Sequence, residues 1–145
     1  VAGSGPDEAF LRNLVSEKGV EDIVDFIGPI FGGDKMRFWE GIDIFLFPTF
    51  HREGLPYTIL EALASGTPTL STRVGGIPDV IQDGVQGVLL DDHEPTSVAG
   101  AIEAMLADRQ LLRDMSVAAM QRASEHYGVE RLAAQFDQIY QELLA

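Results

Sequence analysis

Residues 42–71 have the sequence IDIFLFPTFHREGLPYTILEALASGTPTLS, and this stretch decides the fold of the chain. Ile42–Phe47 is apolar except for one aspartate, which is typical of a strand that is covered on both faces. After a loop, Pro56–Ser65 contains strong helix formers and is followed by Gly66, a common residue just beyond a helix. Thr69–Ser71 then begins a second predicted strand. Strand, helix and strand in this order predict a parallel βαβ unit.

The same alternation of short apolar runs and helical stretches continues in both directions. Strands are predicted near Val1–Ala2, Ile23–Phe26, Ile42–Phe47, Thr69–Ser71 and Val88–Leu90. Helices are predicted near Asp7–Lys18, Lys35–Trp39, Pro56–Ser65, Ile77–Ile81, Thr96–Leu106, Arg109–Glu125 and Glu130–Leu144. This order predicts an α/β fold, a doubly wound parallel sheet with a helical C-terminal tail. In such sheets the ligand binds beyond the carboxyl ends of the strands.

The composition is that of an ordinary globular domain with an acidic balance. The chain has 145 residues, of which 46% are hydrophobic and 23% are charged. Its net charge of −13 argues against binding to nucleic acid or to an anionic membrane, because like charges repel. Cysteine is absent from the sequence, which excludes disulfides and thiolate metal sites. We therefore expect a cytoplasmic protein.

Two carboxylates, Glu53 and Glu61, lie eight positions apart on either side of the helix entry. Pro56 suits the first position of a helix, and the N–H groups from about Tyr57 onward have no acceptor within the helix. These N–H groups and the helix dipole form a site for an anion such as a phosphate. Ionised carboxylates accept hydrogen bonds from sugar hydroxyls. The arrangement suits a nucleotide-diphosphate sugar, although Glu61 is also explained as a solvated residue of a good helix.

Five further fragments, together with this Glu-x7-Glu spacing, resemble one enzyme family. They are Val1–Pro6, Val24–Gly28, Asp43–Thr49, Thr72–Ile81 and Asp83–Leu89. In this order they are similar to the retaining glycosyltransferases of family 4, the "glycosyl transferases group 1" domain of the GT-B fold. The resemblance runs along nearly the whole chain.

The resemblance implies a domain that binds the nucleotide sugar in an enzyme that moves a sugar to an acceptor hydroxyl. It gives the catalytic role to Glu53, which would hold hydroxyls of the donor sugar near the reacting centre. It gives binding of the nucleotide ribose to Glu61. Donor sugar and diphosphate would be bound by Glu53, Gly54, Leu55, Pro56 and Tyr57. The positions that would contact the base or line the cleft are Pro29, Ile30, Gly3, Gly5, Gly75 and Gly76.

The resemblance also describes residues 1–145 as a single C-terminal donor-binding domain, truncated at its N-terminal edge and without the N-terminal acceptor domain. The implied partners are the nucleotide sugar, an acceptor carbohydrate or lipid-linked acceptor, and that missing domain. No metal or other cofactor is implied, and no nucleic acid. The parent enzyme could act at the inner face of the membrane. Because the family supplies an Arg and a Lys for the diphosphate from an upstream stretch, this fragment alone is expected to be inactive.

Two other functions fit the same residues. A GT-B nucleotide-sugar epimerase or hydrolase shares the fold and the donor, and a non-catalytic GT-B-like module would serve protein interaction. The last helix bears on these alternatives, since its apolar stripe would pack on the missing domain in the resembling fold. We therefore expect an exposed apolar face formed by Leu132, Phe136, Ile139, Tyr140 and Leu143.

Several other side chains have a simpler explanation than ligand binding. His51 is expected to be a solvated loop residue, and none of the three histidines has metal-ligand spacing with another. Trp39 is expected in the core. The cations nearest the predicted cleft could reach a phosphate, but solvation at the surface is the default for Arg52, Arg73, Lys35 and Arg37.

Overall fold

The computed structural model describes residues 1–51 and 54–144 of the chain. These residues form two compact units, Val1–Gly41 and Ile42–Ala145. The first unit contains helix α1 (Glu8–Lys18) and helix α2 (Asp34–Glu40), which buries Trp39 as expected. The second unit contains all the strands that the structure describes and the remaining described helices. The α/β class predicted above is confirmed.

The strands predicted at Val1–Ala2 and Ile23–Phe26 do not form, so the prediction was wrong for these two segments. The two segments meet in a single parallel bridge between Ala2 and Gly28, with a hydrogen bond of 2.8 Å from Gly3 N–H to Gly28 O. Residues 21–23 form a turn instead, and Ile23 is 81% exposed. Because the turn takes up the start of Ile23–Phe26, the residues that remain are too few to pair along a neighbouring segment as a strand.

Three parallel strands are described in the second unit, in the order β1 (Phe45–Phe47), β2 (Thr69–Thr72) and β3 (Gly87–Leu90). The register pairs Leu46 with Leu70 and Leu70 with Val88. The first crossover is helix α3 (Tyr57–Ser65) and the second is the short helix α4 (Ile77–Val80). The βαβ unit predicted from residues 42–71 is therefore present. It is followed by α5 (Pro95–Ala107), α6 (Arg109–His126) and α7 (Val129–Leu144).

Two apolar clusters hold the second unit together. The cluster around α3, α4 and α6 consists of Ile59, Leu63, Ile77, Val80, Ile81, Leu89 and Ala119. The cluster around α5 and α6 consists of Leu70, Met105, Leu112 and Met115. Every residue of β2 is buried, which explains why its sequence lacks the alternation of a half-exposed strand.

Helix α3 begins one residue later than predicted. Pro56 has φ −64° and ψ 122°, so it caps the helix in an extended conformation and Tyr57 is the first helical residue. At the other end, Gly66 has φ +74°, and a Cβ there would lie 3.0 Å from Ser116 Oγ and Met120 Cγ. Glycine therefore serves both the left-handed cap and the close approach of α6.

Helix α7 is exposed along its whole described length, with no buried residue. The five apolar side chains predicted to form an exposed face are between 50% and 77% exposed, which confirms that expectation. Among the described residues, no helix combines the length and the apolar content that crossing a membrane would require.

Candidate functional site

The loops at the carboxyl ends of the strands are tied to β2 by two hydroxyl groups. Ser71 Oγ donates a hydrogen bond of 2.6 Å to Phe47 O, at the end of β1. Thr72 Oγ1 donates to Thr49 O in the loop that follows. Since both donors lie on a fully buried strand, the start of the loop that leads to α3 is fixed by the core.

Two glycine loops meet at the entrance of α3. Gly76 N–H donates a hydrogen bond of 2.8 Å to Gly54 O. A Cβ at residue 76 would lie 2.6 Å from Gly54 O and 3.7 Å from Leu55 N. The structure therefore brings Gly75 and Gly76, from the loop after β2, to the predicted diphosphate-binding residues Gly54 and Leu55. Only glycine permits this approach at residue 76.

The first turn of α3 is open to a ligand. No side chain of the described residues caps it, and Tyr57 is 81% exposed. Ile59 N–H donates a hydrogen bond of 3.0 Å to Pro56 O. The N–H groups of Tyr57 and Thr58, which come before it, have no acceptor within the helix. The positive end of the helix dipole lies at the same place. This entrance can bind an anion through the backbone alone.

Glu61 lies on α3 one turn after Tyr57 and is half-buried. Its face of the helix lines a groove of about 440 Å³ between α3 and α6, which also includes Leu60, Met120 and Tyr127. The carboxylate is thus placed on a mostly apolar wall next to the helix entrance. Glu53, the predicted catalytic residue, and Arg52 lie outside the described residues.

The other predicted cleft residues lie in the first unit. The bridge between Ala2 and Gly28 places Gly3 and Pro29, the residues that follow it, at the same end of the paired segments. Ile30 is half-buried, whereas Gly5 is exposed. The structure therefore brings Gly3 and Pro29 to the same end of this bridge.

Arg73 is occupied by two carboxylates. Its guanidinium lies 2.6 Å from Asp83 Oδ2 and 3.0 Å from Asp91 Oδ1, and its backbone N–H bonds to Leu90 O. The residue therefore braces the loop after β2 against β3 and its loop. Sequence reasoning did not find this role, because the two aspartates follow Arg73 at separations that match no local motif.

One titratable group near this edge has a clearly shifted pKa. The backbone N–H of Glu94 and then the hydroxyl of Ser97 donate to the Asp92 carboxylate, which lowers the pKa of Asp92. Nearby His93 lowers it further. Asp92 thereby anchors the first turn of α5, where an ionised carboxylate is favourable. It is not among the predicted site residues.

Three exposed rings form a row at the same edge, and sequence reasoning did not find it. The Phe50 ring centroid lies 4.2 Å from that of His51 and 5.4 Å from that of His93. We call these three residues the aromatic row. His51 is exposed, as expected for a loop residue. The row could not be read from the sequence, because His93 comes from the loop after β3 and Phe50 from the loop after β1.

Residues 1–51 and 54–144 contain no group of three His, Asp or Glu side chains that could hold a metal ion. What the entrance of α3 offers a ligand in the described residues is backbone N–H groups and a carboxylate. Such groups bind anions and hydroxyls.

The chain has clear relatives. Residues 1–139 match the family model described as "Glycosyl transferases group 1". N-acetyl-alpha-D-glucosaminyl L-malate synthase of Bacillus anthracis is 32% identical over 99% of this chain and 37% of its own length. D-inositol 3-phosphate glycosyltransferase of Paenarthrobacter aurescens (strain TC1) is 32% identical over 98% of this chain and 34% of its own length. The chain thus spans about a third of the length of the curated relatives it matches.

Solved structures show the same fold. Sucrose-phosphate synthase from Thermosynechococcus elongatus superimposes with a TM-score of 0.86 and 26% identity over 98% of this chain and 37% of that chain. Anabaena Alr3699/HepE in complex with UDP has a TM-score of 0.86 at 22% identity, over 97% of this chain and 40% of that chain. At that identity the second likeness shows the fold alone. The predicted GT-B half-fold is confirmed.

Proposed function

The chain belongs to the glycosyl transferases group 1 family, and we propose that it is the donor-binding part of a retaining glycosyltransferase. The enzyme would transfer a sugar from a nucleotide diphosphate to an acceptor hydroxyl, on a carbohydrate or a lipid-linked acceptor. The names of the relatives are those of a synthase and of glycosyltransferases, which favours transfer over the epimerase, hydrolase and non-catalytic alternatives.

One observation carries the proposal, the meeting of Gly76 and Gly54 at the open entrance of α3. The diphosphate would accept hydrogen bonds from the N–H of Leu55 and from the first N–H groups of α3. A net charge of −13 disfavours an anionic ligand in general, so local donors and the helix dipole must offset it.

The remaining roles are those that the resemblance to the family implies for this chain. Glu61, one turn into α3, would bind the ribose hydroxyls. Glu53, just before Gly54 in sequence, would hold the donor sugar near the reacting centre. Pro29 and Ile30 would contact the base. The proposal requires no metal ion, because the helix dipole and backbone donors would stabilise the leaving diphosphate together with cations of a part of the enzyme outside this chain.

The proposed parent enzyme has an N-terminal acceptor domain and is cytoplasmic. Two facts support this organisation: the chain spans about a third of its curated relatives, and α7 exposes an apolar face of the kind that marks an interface. Turnover would require both domains, so donor binding is the property to measure on this chain.

A calorimetric titration of the chain with UDP, GDP and ADP, without metal, tests the proposal. UDP comes first, because the HepE structures that share the fold are complexes with UDP and with UDP-glucose. We expect weak, saturable binding of one nucleotide. Glu61→Ala should weaken it by about 1–3 kcal/mol, roughly 5- to 150-fold, because a hydrogen bond to a charged group is lost.

Glu103→Ala is the matched control, since Glu103 is an exposed glutamate on α5. It should bind the nucleotide as the unchanged chain does. Binding that is equally tight in the Glu61 and Glu103 variants would remove the ribose role. Failure of all three nucleotides to bind both this chain and the full-length parent would remove the proposed function.

A further inference from the structure

The aromatic row presents an unusual surface for a loop region. Phe50 is 62% exposed, and its ring contacts two imidazoles, that of His51 in the same loop and that of His93 in the loop after β3. His51 N–H donates a hydrogen bond of 3.1 Å to Thr49 Oγ1, and Thr49 O accepts the hydroxyl of buried Thr72. The loop that carries Phe50 and His51 is therefore tied to the sheet. Phe50 lies outside the apolar core, and its exposed ring offers a flat apolar surface to a ligand.

Two carboxylates precede His93 in the sequence. The Asp91 side chain is 90% exposed, with one oxygen 3.0 Å from the Arg73 guanidinium. The Asp92 carboxylate accepts hydrogen bonds from Glu94 N–H and the Ser97 hydroxyl. An ionised carboxylate accepts hydrogen bonds only, so it binds hydroxyl groups and repels carbonyl oxygens. A flat apolar ring in a loop near an exposed carboxylate matches a ligand that has an apolar face and a rim of hydroxyls.

We propose that the aromatic row is a sugar-binding platform, on which the exposed face of Phe50 stacks against the C–H face of a pyranose ring. The inference rests on the proposed function, because the row lies at the carboxyl edge where a transferase of this fold must hold its sugars. The exposed carboxylate of Asp91 favours a sugar over uracil, whose ring carries two carbonyl oxygens. The pyranose would belong either to the donor or to the acceptor, and both present the same chemistry to the ring.

Saturation-transfer NMR on the chain tests the platform with three probes: methyl α-D-glucopyranoside, UDP-glucose and uridine. Saturation of the aromatic protons should reach the pyranose protons of at least one sugar probe, and Phe50→Leu should abolish this transfer. Leucine keeps the apolar bulk and removes the ring. Phe10→Leu is the matched control, because Phe10 is 64% exposed on α1 and distant in sequence from the row.

The probes identify the source of the sugar. Transfer to the glucoside that Phe50→Leu abolishes assigns the platform to the acceptor, and transfer to the glucose ring of UDP-glucose alone assigns it to the donor. Transfer to uridine alone, transfer that survives in Phe50→Leu, or no transfer to either sugar would overturn the proposal. Unchanged amide spectra of β1 and β2 in Phe50→Leu would show that the variant keeps its fold.

The failure of this inference is distinguishable from the failure of the proposed function. UDP binding by calorimetry with no platform contact to any sugar would overturn the platform and leave the donor site in place. Platform contact to the glucoside with no nucleotide binding, in this chain or in the parent, would overturn the donor site and leave the platform in place.

Discussion

Helices α3 and α7 both carry an apolar stripe, but the stripe of α3 is buried and that of α7 is exposed to solvent. In α3, Ile59, Ala62 and Leu63 are fully buried against the sheet and α6. In α7, the stripe is complete but no described residue is buried. An amphipathic pattern therefore predicts that a face is suited to packing, and a neighbouring element decides whether it is packed.

The largest expected difference between the two helices is in stability. Leu63→Ala should lower the free energy of unfolding by about 2–5 kcal/mol, because it leaves a cavity in a core that is already closed. Leu132→Ala, at a side chain that is 53% exposed on α7, should change it by less than about 0.5 kcal/mol. Urea unfolding of both variants measures the pair, and equal losses would break the comparison.

The entrances of the two helices should respond differently to one added methyl group. Gly76→Ala places a Cβ 2.6 Å from Gly54 O, so the loop must move away from the start of α3. We expect a loss of about 1–3 kcal/mol in stability and a weaker anion site. Gly128→Ala, just before α7, meets only Glu130 Oε2 at 3.6 Å and Ser124 O at 3.8 Å.

Urea unfolding and UDP titration of both glycine variants check this prediction. The alanine at residue 128 should leave both properties close to those of the unchanged chain. Normal nucleotide binding by Gly76→Ala would show that the contact between the two glycine loops is not needed by the site.

The smallest expected effect concerns the first turn of α5, where the Ser97 hydroxyl donates to the Asp92 carboxylate, whereas no side-chain contact of this kind is described at the start of α3. The folded-state pKa of Asp92 lies below its ordinary value of 3.8, so ionised Asp92 stabilises the fold above that pH. The contribution is lost as the pH falls through the lowered pKa. Asp92→Asn should therefore lower Tm at pH 7, and the difference from the unchanged chain should vanish at strongly acidic pH.

Thermal unfolding by circular dichroism, from pH 7 downward, measures this difference. A gap in Tm that stays constant down to pH 2 would show that the side chain acts through shape and not through its charge.

Much of the fold was predictable because local signals mark helix ends. Gly19 and Gly66 end α1 and α3 in left-handed caps, and Asp108 caps α6 by accepting from the N–H groups of Gln110 and Leu111. Strands were harder, since pairing depends on a distant partner. Ile23–Phe26 has strand-like residues, but a turn consumes its start and only one bridge follows.

The candidate site also combines features that are local in the sequence, which could be predicted, with contacts between separate loops, which could not. The spacing of Glu53 and Glu61 and the glycines around Pro56 are local, so they could be read from the sequence. The approach of Gly76 to Gly54, the brace at Arg73 and the aromatic row join separate loops. Contacts of that kind depend on the register of the sheet, which no single segment encodes.

The contact between Gly76 and Gly54 also bears on how such a site can diversify. Residue 76 tolerates no side chain without rebuilding the loop, because the nearest atom is backbone. Leu55, its neighbour across the same contact, is 37% exposed and faces no such restriction. Substitution can therefore accumulate at one side of the junction while the other stays fixed. In the proposed site, the backbone that would bind the anion cannot change without rebuilding the loop, whereas the rim at Leu55 can, so new ligand preferences can arise at the rim within the same fold.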